Sequence, residues 1–360
     1  MDLLGSAGQL AREGRFSEAL TRLDRQHFNA ERRTAAELLR AELLEHLGEH
    51  QKARSILQRF LRTRELTDSE RSLCYYISGR LLAEQNLYES AVEHLQKSAV
   101  LALRIKDYER AAWAQYKLLA IVADTSGWDS VAPLVTELRN NAARSENPQL
   151  MAAVHLSLAE AEAKIGHVAQ ARRHIVLATD VLSGSPNVWL QAIQEHIDAN
   201  VAIFVSDLDR AARHATLSVK LARESGAKRL YAVCVATLGH IFCVMGQHEA
   251  ALQHFDSALA IFGAETENFA GVLDDIARIR LAQQDFDSCA ELLERIESFA
   301  TTSFLQRRYV YRHSMLTRVY LEIRRQNFDL AHHTIDRILN IAQVSSTTLL
   351  DSGIYSGMFS

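Results

Sequence analysis

Proline is nearly missing from this chain. Three occur in 360 residues, where an average globular protein of that length carries about 18. Glycine, with 15, is also scarce. A sheet-rich fold needs frequent turn formers, so this shortage excludes one. It suits long helices, in which both residues are costly. Cysteine is limited to Cys74, Cys234, Cys243 and Cys289. None form a CxxC pair and all sit in apolar helical patterns, which implies buried free thiols and rules out a disulfide scaffold. No stretch of 18 apolar residues is present, so no membrane-spanning helix is expected. The opening MDLLGSAGQLAREGRF has too short an apolar run, and charges too early, for a secretory leader. A cytoplasmic protein is the resulting expectation.

Neither sign of charge dominates. Forty basic and 44 acidic side chains leave a net charge of -4, which gives no global attraction to nucleic acid or to an anionic membrane. Signatures of chemistry are missing too. GxxxxGK[ST], GxSxG, HExxH and the EF-hand pattern are absent, and no GxGxxG follows a strand. His332 and His333 are adjacent, so they diverge by about 100° on a helix. His240, His248 and His254 fall near one turn at packing positions. Neither group is expected to hold a metal. The basic pairs Arg307-Arg308 and Arg324-Arg325 are expected on solvated faces. No cofactor and no catalytic group is anticipated.

What is present is a repeat. A small or polar turn residue recurs at Gly14, Gly48, Asn86, Gly127, Gly166, Ser206, Gly246, Gln284 and Gln326, with a mean spacing of 39 residues. Five positions later stand Ala19, Ala53, Ala91, Ala132, Ala171, Ala211, Ala251, Cys289 and Ala331. Seven positions earlier stand Ala7, Ala41, Gly79, Ala120, Ala159, Ala199, Gly239, Ala277 and Val319. Two antiparallel helices approach closely only where both side chains are small, and these columns lie opposite each other across a tight turn. That turn calls for a residue tolerant of left-handed backbone. Two positions after it, bulky Phe16, Tyr88, Leu208, Phe286 and Phe328 plug the hairpin tip. Polar separators between hairpins contain Thr67, Asp68 and Asn187, which suit helix N-caps.

These columns resemble the tetratricopeptide repeat, best in the seventh unit. There Leu238, Gly239, Phe242, Gly246, Ala251, Phe255 and Ala258 stand at that family's spacings. The period is longer than the family's usual 34, and resembles the sensor solenoids of bacterial MalT-type and enhancer-binding transcription regulators. The resemblance implies an all-α, right-handed superhelical solenoid of about nine helix hairpins over residues 1–343, with contacts only between neighbours. Residues 344–360 read as a tail or a linker to an absent module. By the same resemblance, the first helix of each pair lines a concave groove. Tyr76, Arg80, Lys117, Lys164, His196, Asn200, His240, Arg278, Tyr320 and Arg324 would point into it. The mixed charge of that row suits a peptide or protein segment rather than DNA or RNA. The implied function is a non-catalytic sensory or regulatory solenoid of a bacterial transcription or signalling regulator. The alternative is a self-contained adaptor that scaffolds a protein complex, and self-association is left open.

Overall fold

The computed structural model describes residues 4–62, 66–123, 125, 128–164, 166–263 and 266–345. Among them there is no strand. The helices are α1 (Ser6–Arg12), α2 (Phe16–Asp24), α3 (Ala30–His46), α4 (His50–Leu61), α5 (Asp68–Ala83), α6 (Tyr88–Arg104), α7 (Tyr108–Val122), α8 (Trp128–Arg144), α9 (Pro148–Lys164), α10 (Val168–Gly184), α11 (Val188–Phe204), α12 (Leu208–Ser225), α13 (Lys228–Val244), α14 (His248–Leu259), α15 (Glu267–Ala282), α16 (Phe286–Phe299), α17 (Ser303–Gln306), α18 (Tyr309–Arg324) and α19 (Phe328–Ser345). Apart from the single-turn α17, they pair in order into nine antiparallel hairpins among the described residues. The expected tail lies outside the described residues from 346 onward.

The hairpin tips explain the turn column. Gly14, Gly48, Asn86, Gly166, Ser206, Gly246, Gln284 and Gln326 all adopt positive φ, from 57° to 83°. In each case the next residue donates its N–H to the carbonyl five positions back, as in Glu49 to Leu44 at 2.8 Å and Asn327 to Glu322 at 2.8 Å. This left-handed closure satisfies carbonyls that the helix end leaves open. A non-glycine residue in that conformation costs about 1 kcal/mol, so the pattern tolerates Asn, Ser and Gln there without preferring them. Gly127 lies outside the described residues.

Small columns pack as their chemistry requires. Ala7, Ala41, Gly79, Ala159, Ala199, Gly239 and Ala277 are buried, as are Ala19, Ala53, Ala91, Ala171, Ala211, Ala251 and Cys289. A Cβ on Gly79 would stand 2.7 Å from Leu95 Cγ, and one on Gly239 would stand 2.8 Å from Phe255 Cε1. The fourth hairpin corrects the register read from Gly127. There the buried pair falls one residue earlier, on Leu119 and Val131, while Ala120 is exposed and Ala132 half-buried. Of the expected caps, Thr67 closes a capping box with Glu70 and the Asn187 side chain accepts from Leu190 N–H at 2.9 Å. Asp68 is instead the first helical residue.

From α3 onward, each first helix packs against the next first helix, which places this set along the inside of the curve. The expectation of neighbour-only contacts fails. After about five hairpins the solenoid returns over its own beginning. Val188 N–H donates to the Glu13 carbonyl at 2.9 Å, and Asn187 Nδ2 donates to the Arg12 carbonyl at 2.8 Å. Glu267 N–H donates to Asn86 Oδ1 at 3.1 Å. Arg308 Nη1 donates to the Ile121 carbonyl at 2.6 Å. The tips of hairpins one, three and four thus seat the N-terminal ends of the first helices of hairpins six, eight and nine. One hydrophobic cluster crosses this seam, joining Leu38, Tyr76 and Ile121 to Leu273, Leu305 and Tyr311.

Candidate functional site

Stacking one superhelical turn on the other encloses part of the concave face. A cavity of about 240 Å³ lies where α3, α5 and α7 face α11 and α13. Its polar lining includes Glu45, His46, Arg80, Glu84, Lys117, Arg229 and Arg308; Tyr116, Trp189, Ile193, Leu230 and Val233 supply apolar wall.

The charged groups are mostly paired. Arg80, 6% exposed, meets Glu45. Burial opposes charge on Arg80, but Glu45 holds its pKa above the ordinary arginine value. Burial raises the Glu45 carboxyl in turn, against the pull of Arg80. Arg229 pairs with Glu84, and Arg308 Nη2 pairs with Glu267 Oε2 at 2.9 Å. Lys117 differs. Its ammonium stands 5.7 Å from the Tyr116 ring centre and 6.0 Å from that of Trp189. Burial, and next the charge of Arg80, push its pKa down to about 8.

An aromatic wall seals one side. His46 stacks on Phe16 with centroids 3.7 Å apart, and Trp189 meets both rings edge-on. Trp113 lies 6.1 Å from Trp189. Both ring nitrogens of His46 lie 3.1 Å from the Arg80 guanidinium. Burial, then Arg80 and Lys117, hold the imidazole well below its usual pKa, so it stays neutral.

A polar ribbon continues along the second superhelical turn. Asn200 Nδ2 lies 3.2 Å from His196 Nε2. The amide can only donate, so Nε2 accepts and Nδ1 carries the proton, 3.3 Å from Thr237 Oγ1. Burial lowers the His196 pKa, which agrees with a neutral ring. His240 Nδ1 sits 2.8 Å from Asp275 Oδ1. Arg278 donates to Asp274 Oδ2 at 2.6 Å and to Thr317 Oγ1 at 3.1 Å. Burial raises the Asp274 carboxyl, and its Oδ1 is buried without a hydrogen-bond partner. Three of these bonds cross from one hairpin to the next.

The ten residues expected in the groove therefore separate into groups. Tyr76, Arg80 and Lys117 converge at or beside the cavity, with the Arg80 guanidinium 5.4 Å from the Tyr76 ring centre. Tyr76, at 4% exposed, is core rather than open surface. His196, Asn200, His240 and Arg278 form the ribbon. Lys164 bonds Glu160 at 3.1 Å and stands 5.7 Å from the Tyr309 ring centre. Tyr320 and Arg324 are exposed on the last first helix. Arg308, expected on a solvated face, is instead buried in the seam. His46 stands two residues before Gly48, as Lys164 and Arg324 stand two before Gly166 and Gln326, and Glu45 is its neighbour on the same first helix, so the repeat register held a signal for them. Trp189, Arg229 and Arg308 enter from helix N-terminal ends seated on the preceding turn, where neighbour-only packing gives no signal. Among the described residues, no group of three or more His, Cys, Asp or Glu could hold a metal ion. Cys74, Cys234, Cys243 and Cys289 are free, and burial raises each thiol to about 12.

No family model matches the sequence. No curated protein matches it either. Solved structures do resemble it. A Rap protein complexed with Competence and Sporulation Factor aligns over 96% of this chain and 97% of its own, at 14% identity and a TM-score of 0.68. The human IFIT1 dimer with PPP-AAAA aligns over 98% of this chain and 88% of its own, at 15% identity and a TM-score of 0.50. At such identities the likeness is one of fold, and the fold is that of a tetratricopeptide-type solenoid.

Proposed function

We propose that this chain is a non-catalytic regulatory solenoid that receives a peptide or protein segment in its interior. One observation carries the reading. The concave face offers alternating donors, acceptors and aromatic walls along several hairpins, which matches an extended chain with mixed side chains. A nucleic acid fits less well, because Arg80, Arg229 and Arg308 each already hold a carboxylate and little free positive charge is left for a row of phosphates. The similar Rap protein is seen with a bound factor. By analogy, this interior takes a signal-bearing segment. The setting proposed is the sensory arm of a bacterial transcription or signalling regulator in the cytoplasm, with occupancy altering how the two superhelical turns seat on each other.

The test is affinity capture from the source cell, read by mass spectrometry, on the wild-type protein beside His240→Ala and Arg278→Ala. A partner enriched on wild type and reduced at least about tenfold, about 1.4 kcal/mol, on both variants supports the reading. A partner retained equally by all three places binding on another face and overturns it.

A further inference from the structure

The cavity at the seam has an imbalance that the fold does not explain. Arg80, Arg229 and Arg308 each meet a carboxylate: Glu45, Glu84 and Glu267. Lys117 alone among the cavity's lysine and arginine side chains makes no direct ion pair, although Glu45 and Glu84 lie near enough to favour its charge. Rings stand near it, and their attraction to a cation is modest beside that of an anion. A half-buried ammonium is costly unless something of opposite charge accompanies it. Lys117 thus borders a space of about 240 Å³, room for several waters or a small organic group.

We propose that this cavity is a carboxylate-binding subsite, in which Lys117 supplies the counter-charge to one monoanion carrying an aromatic or branched apolar body. The charge balance sets the anion. One excess cation matches a single negative charge, whereas a phosphate dianion would bring a second charge with no counterpart. Apolar wall from Trp189, Ile193, Leu230 and Val233 selects the body, because burying it there releases water from both surfaces. Such a carboxylate could be the C-terminus of a bound segment or belong to a free small acid. The subsite deepens the segment-binding reading above and rests on it for the first source only. Anion binding here would also lift the depressed Lys117 pKa back toward the ordinary lysine range.

The experiment is thermal unfolding of the full chain, at constant ionic strength, with millimolar benzoate, 3-methylbutanoate, acetate or phosphate. A second arm uses short peptides ending in Phe or Leu, as free acids and as C-terminal amides. Wild type is compared with Lys117→Met and Lys117→Gln, and with Lys97→Met, whose side chain pairs with Glu93 on the outer surface. The expected result is a rise of about 2 °C or more with benzoate or 3-methylbutanoate in wild type and Lys97→Met. Both Lys117 variants should lose it, and acetate and phosphate should shift wild type less. Equal shifts in wild type and either folded Lys117 variant, or no shift with any acid or peptide, would overturn the subsite. Free-acid peptides acting where their amides fail assign the carboxylate to a chain terminus. Small acids acting without peptides keep the subsite while removing its link to a bound segment.

Discussion

At Lys117 local chemistry departs far from what an unfolded chain would show. Its ordinary pKa of 10.5 falls to about 8 in the folded protein, first through burial and then through Arg80. Below about pH 8 both states carry the proton, and folding bears the full cost of burying the charge. Between about 8 and 10.5 the unfolded chain still binds a proton that the folded chain has released, so stability rises with pH in that window. The expected outcome is that wild type gains stability relative to Lys117→Met between about pH 8 and about pH 10, in paired urea titrations. The paired comparison matters because burial raises the pKa of Tyr76 and Tyr116, which pulls the opposite way as pH climbs through the tyrosine range. A difference between the two proteins that stays flat across the window would show that Lys117 is solvated or paired when folded.

At the scale of the element, the hairpins were legible in the sequence because their physics is local. Ala and Gly opposite one another, a left-handed tip and a bulky plug all follow from how two helices meet, so the nine units emerge from spacing alone. The fourth hairpin shows the limit, since its alanines at 120 and 132 imitate the small columns while Leu119 and Val131 take the buried places. The plug column shows another. Phe16 and Tyr88 are buried because a later hairpin sits on their tips, whereas Phe328, at 64% exposed, has none above it. Arg308 belongs to the same class of residue: its sequence neighbours suggest surface, and only long-range stacking explains its burial. It links Glu267 of α15, the Ile121 carbonyl of α7 and the Tyr88 ring of α6, whose centre is 4.7 Å away. Arg308→Met should therefore cost about 3–5 kcal/mol by stranding the buried Glu267 charge. Adding Glu267→Met should recover a large part of that loss. A double-mutant cycle by denaturant unfolding measures it, and purely additive losses would mean the two charges do not act as a pair.

Across the whole molecule, the return of the solenoid onto its own start is the feature that makes an interior. Repeat proteins with neighbour-only contacts are springs, and their concave face is open along its length. Here hairpin one meets the beginning of hairpin six, and the same offset recurs at hairpins three and four. Gly14 is a point of close backbone approach in this seam. A Cβ there would stand 2.5 Å from Asn187 Oδ1 and 2.6 Å from Trp189 N. Gly246 is the matched control: its φ is also 73°, and nothing lies within 4 Å of the same added atom. Alanine at either site pays the left-handed penalty of about 1 kcal/mol. Only Gly14→Ala must also push α11 away from the first hairpin, loosening the contact of Trp189 with Phe16 and His46 and widening the cavity beneath. Solution scattering should show a larger radius of gyration for Gly14→Ala and an unchanged one for Gly246→Ala. Hydrogen exchange should rise in Gly14→Ala at the Val188 amide, whose acceptor is the Glu13 carbonyl. If both variants scatter like wild type, with matched exchange at Val188, the seam yields without opening, and the interior would have to admit its ligand by another route.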